Sequence, residues 1–200
     1  MALSPDGIKM AVSYMRVNGN KISTHIAFYN FGSAGQMELN NQVGELNVDD
    51  VLAPQIFFCD NSTAVAVRTD GFTVFSGSQS PKEKKTVKFD QEIISTFHDG
   101  NRIGFVFDGG DSGHKYLMKV YNTGGKNTMQ KYFDLQYNSI TLQKDKIVLF
   151  NEKEFAIYKL NGQKTFQGKY RKPIQNVLSI RGFRKYMVIT EDSADLIRLG

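Results

Sequence analysis

Short apolar runs alternate along this chain with polar, glycine-bearing breaks. Three of the runs read almost alike: HIAFYNFG at 25–32, LMKVYNTGG at 117–125 and FAIYKLNG at 155–162. Each is an apolar stretch that ends in tyrosine and gives way to a turn closed by glycine. Runs this short, bounded by Gly, Asn and Asp, read as strands. No segment repeats apolar residues at i, i+3, i+4 and i+7 over three turns, so helices are not expected.

Other elements keep a constant order around the tyrosine. Before it comes a second apolar run: MAVSY at 10–14, TAVAV at 63–67, IGFVF at 103–107, KIVLF at 146–150 and YMVIT at 186–190. Each is led in by turn residues such as PDG, DNS or DGN, which bond their own backbone or accept positive φ. Further upstream lie QIFF, IISTF, SITL and NVLSI, and downstream lie KKTVKFD, MQKYFD and KTFQGKY. The unit is therefore a four-stranded meander.

Aligned on the tyrosine, Tyr29, Phe75, Tyr121, Tyr158 and Arg198 are spaced by 46, 46, 37 and 40 residues. Propeller blades repeat at about 40 to 50 residues. The expectation is an all-β chain: a β-propeller segment of about five four-stranded antiparallel blades, with repeats at about 1–46, 47–90, 91–134, 135–172 and 173–200. Little chain precedes the first turn and none follows the last tyrosine-type strand, so the segment is expected to be incomplete at both ends. It would be the C-terminal part of a larger propeller, with unpaired edge strands open to association between chains.

ALSPDGIKMAVSY resembles the SPDG turn and following strand of WD40-like and YVTN-like propeller repeats. With THIAFYNFG, DNSTAVAV, IGFVF, KVYNTGGK and IYKLNG, the whole chain resembles an uncharacterised clostridial (Firmicutes) family of propeller proteins anchored by one N-terminal transmembrane helix. The resemblance implies an extracytoplasmic, membrane-anchored full-length protein. It carries no known activity and no catalytic residues.

Composition narrows the chemistry. Cys59 is the only cysteine, in the apolar stretch IFFCD, where a thiol behaves as a small hydrophobe. No run of 18 apolar residues is present, and MALSPDGIKM has the form of no signal peptide. His25 and His114 are read as preceding the tyrosine strands of repeats one and three, and His98 as a turn residue. No metal, cofactor or catalytic constellation is assigned. FDGGDSGHK at 107–115 holds Asp108, Asp111 and Ser112, but its spacing is not that of a calcium loop. A glycine-rich hairpin needs the same residues for conformation alone. The basic, aromatic stretch 168–186 would suit single-stranded nucleic acid, yet a strand divides its two clusters, and nucleic acid is not the expected partner.

Net charge is +5, from 25 basic and 20 acidic side chains, and its distribution is the more informative property. In a meander, turns after the second and fourth strands fall at one end and the remaining turns at the other. The first set carries Asp49, Asp50, Asp70, Asp108, Asp111, Glu152 and Asp192, candidates for an acidic ligand-binding face. The second carries Lys82, Lys84, Lys85, Arg181, Arg184 and Lys185, candidates for contact with an anionic surface such as lipid or wall polymer. The expected function is a non-enzymatic interaction platform for a protein partner or such a surface. The alternative is a hydrolase or lyase acting on wall or extracellular carbohydrate, with Asp70 and Asp108 as its carboxylates.

Overall fold

The computed structural model describes residues 1–19, 21–32, 41–180 and 184–199. Strands dominate it. The first sheet has the order β1 (Ala2–Leu3), β2 (Lys9–Asn18), β3 (Lys21–Asn30), β4 (Gln42–Asp49). The second runs β5 (Gln55–Phe58), β6 (Thr63–Arg68), β7 (Gly71–Ser76), β8 (Lys82–Lys88). The third is β9 (Ser95–Asp99), β10 (Arg102–Asp108), β11 (Tyr116–Asn122), β12 (Asn127–Phe133). The fourth is β13 (Ser139–Gln143), β14 (Lys146–Phe150), β15 (Glu154–Lys159), β16 (Lys164–Lys169). The fifth has three described strands, β17 (Asn176–Ser179), β18 (Lys185–Ile189) and β19 (Ala194–Arg198).

Every sheet is an antiparallel meander in sequence order. The repeated tyrosine position falls on the third strand each time: β3, β7, β11, β15 and β19. The two-residue β1 supplies an inner strand where the sequence reading found almost none.

Two compact units are present, 1–93 with 100–102 and 122–126, and 94–99 with 103–121 and 127–200. In the first unit one core joins two sheets. Ala11, Ile26 and Phe28 of the first pack against Ala64, Ala66 and Phe75 of the second. In the second unit, alternate residues of β14 and β15 go to opposite sides. Ile147, Leu149, Ala156 and Tyr158 join the third sheet's Val106, Met118 and Val120. Val148, Phe150, Phe155 and Ile157 join the fifth sheet's Val177, Tyr186 and Val188. KIVLF and FAIY are apolar without alternation because both their faces are covered.

The tyrosine position marks a β-bulge. Phe28 pairs with Gly44 and Tyr29 with Gln42, so Val43 is an extra residue in β4. The same shift leaves Lys84 extra in β8, Thr128 in β12 and Thr165 in β16, opposite Phe75, Tyr121 and Tyr158. In two blades a threonine takes up a carbonyl that the bulge displaces: Thr128 Oγ1 donates to Val120 O and Thr165 Oγ1 to Ile157 O, both at 3.1 Å. A bulge on the outermost strand twists that edge and interrupts the ladder an incoming strand would extend.

The asparagine after the tyrosine then builds the turn. Asn122 Oδ1 accepts the N–H groups of Gly124 and Lys126 at 3.0 Å each, and Asn30 Oδ1 accepts that of Gly32. The glycine is needed for close approach as well as for φ. At Gly125 (φ +78) a Cβ would lie 2.7 Å from Lys85 Cγ and 3.0 Å from Val87 Cγ2, because this turn lies against β8.

Leu149 is fully buried in the core between the third and fourth sheets. Leu149→Ala should lower unfolding free energy by about 3 kcal/mol, as large cavities in rigid cores do. The same change at exposed Leu196 should cost under about 0.5 kcal/mol. Urea titrations of the two variants check the contrast.

Candidate functional site

Within each unit the alternating turns sort to two ends, and the hydrogen bonds show it. In the first unit Asp50 N donates to Ile22 O at 2.9 Å and Thr69 N to Leu52 O at 2.8 Å. The β2–β3, β4–β5 and β6–β7 connections therefore share an end, which carries Asp49, Asp50 and Asp70. In the second unit Lys115 N donates to Asp134 Oδ1, Tyr170 N to Lys153 O and Ile174 N to Glu152 O. That end carries Asp108, Asp111, Glu152 and Asp192.

Several of these acids are consumed locally. Asp70 accepts Arg68 Nε at 2.7 Å and Nη2 at 2.8 Å, a two-point pairing with a buried guanidinium. Arg68 also donates to Thr73 Oγ1, which bonds Thr86 Oγ1 at 2.7 Å, and Thr86 in turn donates to Glu83. The arginine two residues before Asp70 is the signal that the sequence offered and a charge count overlooks. Asp108 Oδ1 accepts Gly110 N at 2.8 Å and so shapes the β10–β11 loop, in which Gly110 (φ 55) and Gly113 (φ 78) take left-handed conformations. Asp192 pairs with Lys172 at 3.0 Å; that ammonium and the Thr190 hydroxyl hold its carboxyl below the ordinary carboxylate range. Asp49, Asp50, Asp111 and Glu152 are exposed.

The basic candidates are distributed differently from the expectation. Lys82, Lys84 and Lys85 lie along β8, the outermost strand of its sheet, and not at a hairpin tip. The bulge at Lys84 breaks the alternation there, so four consecutive residues, Lys82 to Lys85, are all exposed. The Asn122–Lys126 turn brings Lys126 to the same strand. Arg184 (φ 55) sits in the turn before β18 and Lys185 is the first residue of β18. Arg181 lies outside the described residues.

The histidines have structural partners. His25 lies inside β3, rather than before it, where it is buried with Nδ1 2.7 Å from Asn47 Oδ1 and its ring stacked near Tyr14. His114 Nδ1 is 2.9 Å from Asp134 Oδ2, and the ring stacks on Tyr132. The His114 ring, with the Lys115 N–H, holds the Asp134 carboxyl below its ordinary value. His98 is the penultimate residue of β9, one position from the turn that the sequence suggested. Among the described residues no three His, Cys, Asp or Glu side chains gather as a metal site would require.

Two surface features were not anticipated. β2 and β3 are ten residues each, longer than β5 to β8 beside them, and their hairpin overshoots the second sheet. It leaves Met15 (64% exposed), Val17 (62%) and Ile22 bare on the face that is core lower down. The second is a polar cleft in the second unit, between Gln136 and Asn138 on one side and Asn151–Glu154 with Lys169 on the other. Of its lining the sequence reading singled out Glu152, as a candidate of the acidic face.

Sequential antiparallel meanders, packed face to face within each unit, define a β-propeller. The chain belongs to a family of unknown function, DUF5711, whose profile matches residues 1–199. No curated protein matches it. Among solved structures it is similar to Kluyvelomyces marxianus Hsv2, at 10% identity and a TM-score of 0.58, over 98% of this chain and 70% of that one. It is also similar to a eukaryotic initiation factor, at 10% identity and a TM-score of 0.56, over 92% of this chain and 46% of that one. BBS1N, crystallised in complex with ARL6DN, matches at 10% identity and a TM-score of 0.50, over 97% of this chain and 66% of that one. Likeness at this identity shows the fold alone.

The buried pair and the thiol each give a measurable expectation. Asp70→Ala strands the Arg68 guanidinium and should destabilise by about 3 kcal/mol, whereas joint replacement with Arg68→Met should recover most of the loss. Denaturant titration of both variants tests this. Burial, then the neighbouring Asp60 charge, pushes the Cys59 thiol up to about 12. The thiolate is the reactive form, so at pH 8 iodoacetamide should label native Cys59 at least about tenfold more slowly than the unfolded chain. Equal rates would contradict the burial.

Proposed function

We propose that the protein is a non-enzymatic interaction platform on the outer side of a Gram-positive membrane. Its lysine-bearing edge would face an anionic surface of lipid or wall polymer, and its acidic turns would remain open to a protein partner. The supporting observation is the β8 edge, where Lys82, Lys84 and Lys85 are exposed in succession beside the turn that carries Lys126. Glu83 is the acid among them, and it is bonded to Thr86.

Location rests on the resemblance of the repeats to a membrane-anchored family. Support for a protein partner comes from the bare apolar tip of the β2–β3 hairpin, since exposed apolar patches rimmed by polar residues mark interaction sites. The BBS1N complex with ARL6DN is a precedent at the level of the fold. The hydrolase alternative draws no support from Asp70 or Asp108, whose carboxylates are engaged by Arg68 and by the Gly110 N–H.

Each lysine near an anionic membrane contributes about 1 kcal/mol, so Lys82→Gln, Lys84→Gln and Lys85→Gln together should weaken binding to phosphatidylglycerol vesicles about a hundredfold. Adding Arg184→Gln and Lys185→Gln should abolish it, and salt should weaken the parent protein in the same direction. Vesicle co-sedimentation reads both effects. Binding that survives all five replacements would end the proposal.

A further inference from the structure

The polar cleft of the fourth sheet's turn region has the makings of a small-ligand site, of which the platform reading counts Glu152 among its acidic turns. It is an open depression of about 430 Å³, a volume within the range of small-molecule sites. One wall is the β12–β13 connection, with Gln136 and Asn138. The other is the β14–β15 hairpin, with Glu152, Lys153 and Glu154, closed off by Lys169 at the end of β16.

The main chain of both walls is tied down internally. Asn151 Nδ2 donates to Gln136 O at 2.5 Å and joins the two walls. Asn151 Oδ1 accepts the N–H groups of Lys153 at 2.8 Å and Glu154 at 3.0 Å. Asn138 N donates to Phe150 O, Tyr170 N to Lys153 O and Ile174 N to Glu152 O. These main-chain groups are thus satisfied within the walls themselves.

The side chains are in the opposite condition. Among the described residues, those of Gln136, Asn138, Glu152, Lys153, Glu154 and Lys169 make no hydrogen bond and no ion pair. Glu154 and Lys169 are even cross-strand partners, yet their charged groups do not meet within 4 Å. The cleft therefore holds two carboxylates, two ammonium groups and two amides, all unpaired on a fixed frame.

That inventory selects a ligand chemistry. Two positive and two negative charges cancel, so neither a polyanion nor a polycation is favoured. Amides donate and accept, carboxylates accept, and ammonium groups donate. A ligand that meets all of them must itself carry many groups that both donate and accept while bearing no net charge. We infer that this cleft is a binding subsite for a polyhydroxylated, uncharged ligand, a saccharide of one or two rings. An apolar ligand would leave six polar groups dry, at a cost for each. The lining offers no aromatic face, so affinity comes from hydrogen bonds alone and belongs in the range of about millimolar. This inference stands independently of the anionic-surface proposal, whose basic residues lie on β8 and at the start of β18.

The test is an amide-resolved NMR titration of the whole chain with cellobiose and with N,N′-diacetylchitobiose, each to about ten times the expected millimolar constant. Expected are saturable shifts confined to 136–138, 151–154 and 169. Glu154→Gln and Asn138→Ala, both at solvent-accessible positions, should each weaken binding about tenfold, the effect of losing one hydrogen bond to a charged or amide group. Asp192→Asn, outside the cleft, should leave it unchanged. Absence of shifts with both sugars would overturn the inference, as would shifts that persist undiminished in both cleft variants. Shifts produced by glutamate or polyphosphate but by neither sugar would also overturn it.

Discussion

Two-sided burial of the middle strands is the constraint on which the rest of this protein depends. β6 is buried at every position and β7 at all but its last, while β14 and β15 are buried along nearly their whole length. A sheet with apolar side chains on both faces cannot stand alone or with one face in water. It must lie between neighbours, as the fourth sheet does between the third and the fifth. Each fully covered Val, Leu, Ile or Phe contributes about 1.5–3 kcal/mol, and only stacking of whole meanders brings that gain. Blade number, turn placement and strand order then follow from repetition of one unit.

Stacking also governs which residues are free to do anything else. The inner strands are committed to packing, and the outermost strand of each complete blade has one face bare. Its recurrent bulge, opposite the tyrosine position, solves a second difficulty. The edge must not recruit another strand, and a one-residue insertion spoils the regular ladder while threonines at 128 and 165 satisfy the displaced carbonyls. On β8 the same insertion gives a further result, since it turns what would be an alternating strand into a continuous run of exposed charge. A device for isolating an edge has become a device for displaying lysines.

Much of this was legible in the sequence, for a physical reason. Strand period, turn chemistry and repeat interval are local properties, and local properties are written in adjacent residues: a tyrosine run closed by glycine marks the third strand and its turn, whereas the bulge opposite it, present also at Phe75 and Tyr158 where no YN occurs, was not read. What the sequence concealed was partnership. Arg68 and Asp70 look like a base and an acid on a loop, and only the fold reveals that one is buried and the other neutralises it. Asn151 reads as a turn residue, and the fact that its amide ties two connections into one cleft depends on contact with Gln136, fifteen residues away. His25 was misplaced because β3 begins four residues earlier than its apolar core suggests. Which turns share an end was deducible from topology, but that Lys82, Lys84 and Lys85 lie along β8 rather than at a turn, and which charges remain available, was not.

Partnership also explains why an acid count is a poor guide to the functional end of this fold. An exposed carboxylate bonded to a neighbour is held in its charged form: the Lys172 ammonium keeps Asp192 below its ordinary value, and His114 does the same for Asp134. Such groups stabilise the fold above about pH 4, and their contribution is lost as pH falls through their lowered values. They serve the turns that carry them. Groups that nothing local satisfies are those from which a ligand can still gain, and those lining the cleft beside the β14–β15 hairpin are among them. An acid that the sequence makes conspicuous is therefore not, for that reason alone, available to a partner.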